Sequence, residues 1–166
     1  MIRSAFLIVP LLALTACGLR PLYGGAESAA RTTLGQVQVA PIEGQAGWLV
    51  RTALSDRLSA VDGAAARYRL DVRLDDTIAG LGVRRDDSVT RERRTLRARY
   101  QLVDLTSGAT LLDATAGSDA GIDVVGSDYA TIAAEQTALE RLSGIVADQI
   151  VARIALYAQR SATAPK

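Results

Sequence analysis

The chain has 166 residues with 19 basic and 18 acidic side chains, no histidine and one cysteine. That length fits one domain, and a 49% hydrophobic content supports a real core and excludes a disordered chain. The missing imidazoles and thiols exclude an internal disulfide and any His/Cys metal cluster, and acid–base chemistry has only carboxylates, tyrosines and the terminal Lys166 to run on.

Arg3 precedes an apolar run, Ala5 to Leu14, interrupted by Pro10. A bilayer span needs about 20 apolar residues, so the run is too short for one. Charge, short apolar run and small residues follow the order of a secretory signal peptide. Its end, Leu14-Thr15-Ala16-Cys17, resembles the bacterial lipobox, in which cleavage leaves the cysteine as the first mature residue and lipid is added to it. Residues 1–16 are thus expected to be removed and Cys17 to be the covalent lipid site. Several acyl chains on one residue anchor stably where one does not. Gly18, in place of an aspartate after the cysteine, points to the periplasmic face of the outer membrane. Without Arg3 the mature chain holds equal numbers of basic and acidic residues, which argues against nucleic acid as a partner.

Residues 17–33 read as the lipidated cysteine and a tether, rich in Gly, Pro, Ser and Thr. A single domain is expected over 34–158. It begins with a short strand, Leu34 to Ile42, that ends at a proline. An amphipathic helix follows over Gly47 to Val61, with Val50, Leu54, Leu58 and Val61 on one stripe and Gly63 as its C-terminal cap. Strict alternation then puts Tyr68, Leu70, Val72 and Leu74 on one face and Arg67, Arg69, Asp71, Arg73 and Asp75 on the other. Gly80 to Asp87 reads as a turn region. A second alternating strand carries Leu96, Ala98, Tyr100 and Leu102, and Thr106-Ser107-Gly108 turns into a third. A helix of about 30 residues, roughly 45 Å long, starts at a Ser127 or Asp128 cap and carries Ile132, Leu139, Leu142, Val146, Ile150, Ile154 and Tyr157 as a stripe. Residues 159–166 read as a polar tail. The order β-α-β-β-β-α predicts an α+β two-layer sandwich, a small mostly antiparallel sheet with two helices on one face.

Two strings, "CGLRPLYG" at Cys17–Gly24 and "VVGSDYATIAAEQTALERLSGIVADQIVARIALY" at Val124–Tyr157, together with the lipobox and this element order, resemble the LptE family of lipopolysaccharide-assembly lipoproteins in its alphaproteobacterial form. The resemblance implies a non-enzymatic role. Such a protein partners the outer-membrane β-barrel LptD, helps that barrel assemble and assists delivery of lipopolysaccharide to the cell surface. It carries no catalytic motif to this chain and implies no cofactor beyond the lipid on Cys17.

The candidate site is Arg84 to Arg99, "RRDDSVTRERRTLRAR", where seven arginines face Asp86, Asp87 and Glu92. Alternation projects Arg91, Arg93, Arg97 and Arg99 from the face opposite the core, with Arg84 and Arg85 in the preceding turn. Arg94 has core-facing parity and is expected beyond the helices. Guanidinium grips phosphate and carboxylate in bidentate fashion, so these arginines suit lipopolysaccharide or an acidic barrel lumen. The bland reading is a solvated face neutralised across strands by Asp71, Asp75 and Glu92. Trp48 reads as an interface anchor or as helix-end packing, and Tyr23 and Tyr129 match the family without a derivable chemistry. Gly80-Leu81-Gly82 lacks the context of a phosphate loop, and the Asp75-Asp76 and Asp86-Asp87 pairs hold a cation only if other oxygens converge. Two other roles compete: a lipid-anchored accessory subunit of another envelope lipid-transport system, and, far behind, a hydrolase working through Asp75 and Asp76.

Overall fold

A computed structural model describes residues 26–59, 65–83, 89–124 and 127–163. Its elements are α1 (Ala26–Gly35), β1 (Val37–Val39), α2 (Gly44–Ser59), β2 (Tyr68–Val83), β3 (Val89–Asp104), β4 (Thr110–Asp123) and α3 (Asp128–Thr163). The sheet order is β1-β2-β3-β4. β1 runs parallel to β2, and β2, β3 and β4 form an antiparallel meander. The α+β sandwich read from the pattern is the observed architecture, with one helix more than expected.

Alternation decides which face is covered. Leu70, Val72, Leu96, Ala98, Tyr100, Leu102, Ala116 and Ala120 project to one side and are buried. They meet Val50, Leu54 and Leu58 of α2 and Leu139, Leu142, Val146, Ile150 and Ile154 of α3. Alanines at 98, 116, 120 and 147 fill the layer between larger side chains, so α3 can lie close to the strands. α2 and α3 lie on this face, and among the described residues no helix covers the opposite one.

Several boundaries differ from the sequence reading, each for a local reason. Residues 26–33, expected in the tether, form most of α1 and pack against α3. Alanine-rich sequence favours helix, and Ala30 and Leu34, four residues apart, supply its contacts. Two apolar positions are too few to show as a period. Because Leu34 and Gly35 close α1, β1 shrinks to three residues. The second helix starts earlier, at Gly44, whose φ is +79°. Gly47 is also required there, since a Cβ would stand 2.6 Å from the Ile42 carbonyl oxygen. The expected cap at Gly63 lies outside the described residues. Gly80–Val83, expected in a turn, continues β2. At the C-terminus α3 runs through the expected tail as far as Thr163 and reaches 36 residues, roughly 54 Å. Pro165 disfavours helical geometry at the residue before it.

The β3–β4 turn is held by its own side chain. The Asp104 carboxylate accepts the Thr106 and Ser107 amides at 2.8 and 3.1 Å. Gly108, at φ +70°, donates to the Asp104 carbonyl at 2.8 Å. At the start of α3 the Ser127 carbonyl accepts the Thr131 N–H at 3.1 Å, which makes Ser127 the cap residue.

The amides of Ser107 and Thr106 hold the Asp104 carboxyl below the usual carboxylate range, and the Arg57 guanidinium does the same for Asp148. A depressed folded value means the ionised form stabilises the fold. That contribution is complete above the unfolded carboxylate value near ~3.9 and is lost as pH falls through the lower folded values. Thermal melts should therefore fall steeply on acidification below about pH 4. Asp104→Asn, which keeps the acceptor oxygen but cannot titrate, should show a shallower decline than the parent.

Candidate functional site: the open face of the sheet

The same alternation that buries one face displays the other. The β2–β3 pairing keeps one register from Tyr68 opposite Asp104 to Val83 opposite Val89, which puts Arg69, Asp71, Arg73 and Asp75 on the same face as Arg91, Arg93, Arg97 and Arg99. β4 adds Asp113, Asp119 and Asp123 on the same side. All four predicted arginines of β3 are exposed and share this face. Arg84, Arg85 and Cys17, with Tyr23, Asp86 and Asp87, lie outside the described residues.

The arginines are not a bare cationic patch. Arg91 Nε donates to Asp123 at 3.0 Å, and Arg99 Nη2 to Asp113 at 2.9 Å. Arg93 stands 3.8 Å from Asp119, and Arg69 grips Asp71 through two nitrogens. Gln101 shares the Asp113 carboxylate at 2.9 Å. Those contacts draw the Asp113 carboxyl below its ordinary range, Arg99 first and Gln101 second. The counter-charges come mainly from β4, whereas cross-strand neutralisation was expected from Asp71, Asp75 and Glu92. Glu92 is on the covered side, where its Oε2 is buried with no hydrogen-bond partner. The β4 acids were legible in "DATAGSDAGID", where Asp113, Asp119 and Asp123 share one parity, but only once that strand was paired to the arginines.

Two arginines stand apart. Arg73 and Arg97 have no carboxylate partner among the described residues, and they sit diagonally across β2 and β3, with Arg73 opposite Arg99 and Arg97 opposite Asp75. Both border a shallow depression of about 690 Å³ together with Arg99, Asp75 and Thr115. A second, of about 480 Å³, continues from Arg73 and Arg99 to Pro41 at the end of β1. Arg97 extends over Gly117, where a Cβ would meet its Cδ at 2.6 Å, so the missing side chain in β4 makes room for the guanidinium.

Arg94 is placed differently from expectation. It is not beyond the helices but under α3, and only 9% exposed. Its Nε and Nη2 reach the Asp76 carboxylate at 2.9 and 2.6 Å, and its Nη1 donates to the Glu135 carbonyl at 2.8 Å. The same geometry separates Asp75 from Asp76: one is on the open face and the other on the covered face, so the pair does not converge on a cation. No group of potential metal ligands occurs among the described residues. Gly80 and Gly82 lie within β2 and not in a strand-to-helix loop. Trp48 is 65% and Tyr129 84% exposed, so neither is core, and Ile132, expected in the buried stripe, is 63% exposed.

One face of this α+β sandwich is sealed by helices, and the other carries arginines paired largely with aspartates of the neighbouring strand. Residues 34–154 match the lipopolysaccharide-assembly family LptE, and the chain belongs to that non-enzymatic family. Solved structures that share the fold include three lipoproteins. A Caulobacter crescentus protein described as a lipoprotein aligns with a TM-score of 0.65 at 23% identity, covering 81% of this chain and 98% of its own. A minor lipoprotein of Acinetobacter baumannii aligns at 0.55 and 14% identity over 74% and 94%. Lipoprotein B of Nitrosomonas europaea aligns at 0.57 and 14% over 74% and 83%. No curated protein matches the sequence.

The half-buried Arg94–Asp76 pair makes a direct prediction. Asp76→Ala leaves a guanidinium under α3 without its carboxylate and should cost about 2 kcal/mol in chemical denaturation. The double variant Arg94→Met/Asp76→Leu should recover most of that loss, because apolar replacement of both partners removes the unpaired charge.

Proposed function

We propose that this chain is an outer-membrane lipoprotein, lipidated on Cys17 and facing the periplasm, that partners an LptD-like β-barrel in the assembly and delivery of lipopolysaccharide. The observation that carries the reading is the family match over residues 34–154, and the lipobox ending at Cys17, upstream of the matched residues, supports it. No helix among the described residues is long and apolar enough to cross a membrane. The lipid is accordingly given the task of holding the domain at the bilayer, where tethering raises its effective concentration at a membrane partner.

Within this reading the open face meets either the phosphates and acidic sugars of the glycolipid or acidic residues of the barrel lumen. Arg91, Arg93 and Arg99 must exchange their aspartate partners to do so. Exposed pairs of this kind contribute about 0–1 kcal/mol each, so the exchange is inexpensive. Arg97, with Arg73 beside it, can engage an anion without breaking a pair. Arg84 and Arg85, adjacent in sequence, are proposed to add to the same contact.

The test is a tagged pull-down of the full-length lipoprotein from detergent-solubilised outer membranes. A large β-barrel should co-purify in stoichiometric amount, and Arg97→Glu should weaken its capture, or that of lipopolysaccharide, more than Arg91→Glu does. Recovery of an inner-membrane or periplasmic lipid transporter in place of the barrel would overturn the reading in favour of an accessory subunit of that system.

A further inference from the structure

The two edges of this sheet are treated differently. At the β4 edge, Gln149 of α3 accepts the Gly117 N–H at 3.0 Å and donates to the Gly117 carbonyl at 3.3 Å. Both outward backbone groups at the middle of that strand are therefore occupied by a side-chain amide. At the other edge, β1 pairs only with Tyr68, Arg69 and Leu70. Its last bond runs from the Ala40 N–H to the Leu70 carbonyl at 3.0 Å, and Pro41 then has no donor to offer. β2 continues to Val83 with no further strand beside it among the described residues.

The direction of the free groups follows from the register. Tyr68 N–H and the Leu70 carbonyl face the β1 side, and the β2–β3 pairing has no shift. The N–H and C=O of Leu74, Asp76, Ile78 and Gly80 therefore face away from β3. Every residue from Asp75 to Gly80 is exposed, including Ile78 at 43%, although its side chain is on the helix side. Isolated edges are normally protected by charge, proline or a bulge. β2 carries charge up to Asp76, but Thr77 to Val83, "TIAGLGV", has no charge, no proline and a regular ladder. An edge without those protections leaves its outward backbone groups available to pair with an added strand.

We propose that the β2 edge from Leu74 to Val83 takes an added β-strand from a partner polypeptide, held by backbone hydrogen bonds. The strand has apolar or β-branched side chains where it flanks Ile78 and an acid beside Arg73, which lacks a carboxylate among the described residues. Its source is the barrel partner, and for that source alone the inference rests on the proposed function.

The test replaces Ala79, whose side chain is on the open face, with a photo-crosslinking phenylalanine analogue in the full-length chain expressed in its envelope. One extended segment of one partner polypeptide should be captured. Capture should persist in Ile78→Val and disappear in Ile78→Pro, which removes an N–H that β2 does not use within the fold. Proline-sensitive capture of the barrel supports the proposal and its source. Proline-sensitive capture of a segment of a different protein upholds strand addition and overturns the barrel as its source. Capture of a second copy alone, no capture, or capture undiminished by the proline overturns the proposal. The wild-type complex gives a reading that needs no folded proline variant. An Ile78 amide exchanging as slowly as the β3-bonded Ala79 amide supports an added strand, and markedly faster exchange at Ile78 overturns it.

Discussion

The molecule depends on one unbroken register between β2 and β3. Fifteen aligned pairs connect these strands without a bulge, and each later feature takes its side from that alignment. It assigns Leu70, Leu96, Ala98 and Tyr100 to the helices and Arg73, Arg93, Arg97 and Arg99 to the open face. A slip of one residue would send guanidinium groups into the core and leave the apolar set in water. Burying Leu96, Tyr100 and Leu102 together, each contributing about 1.5–3 kcal/mol, makes such a slip far costlier than any surface pair could offset.

The Arg94–Asp76 pair adds a polar check on the same alignment. Arg94 is opposite Ile78 and reaches diagonally to Asp76 while its third contact rises to the Glu135 carbonyl of α3. Strand register and helix position are thus read by one side chain. Net stabilisation from a pair like this is small, but its geometry is satisfied only when β2, β3 and α3 are all in place. Arg57 plays the corresponding part between the helices, bonding Asp148, the Gly144 carbonyl and its own helix at Ala53.

Much of this was visible in the residues. Period-two alternation identified β2, β3 and the faces of Arg91, Arg93, Arg97 and Arg99, the Thr106-Ser107-Gly108 turn pointed to β4, and the stripe from Leu139 to Ile154 identified α3. What escaped was carried by single positions. In α1 the buried Ala30 and half-buried Leu34 supply the described contacts, and Arg94 obeyed the core parity while its charge argued against the core. The carboxylate that resolves that conflict, Asp76, looked like half of an acidic pair. The β4 acids were visible as residues, but their partners depend on pairing two strands in register, which composition does not supply. The difference between the sheet edges was likewise beyond reach, since Gln149 meets Gly117 across 32 positions of sequence.

The balance of the open face bears on how such a surface recognises anything. If its arginines were unpaired, their field would be long-ranged and any polyanion would be attracted. Pairing with Asp113, Asp119 and Asp123 cancels most of that field beyond a Debye length of about 8 Å at physiological salt, so attraction is felt only at contact. At contact the pairs are weak and exposed, and a partner that supplies its own acids or phosphates in the right spacing can replace the aspartates at little net cost. Selectivity then lies in geometry: the partner must match the spacing of the strands. Arg73 and Arg97, which have no carboxylate partner among the described residues, are the point from which the proposed exchange would begin.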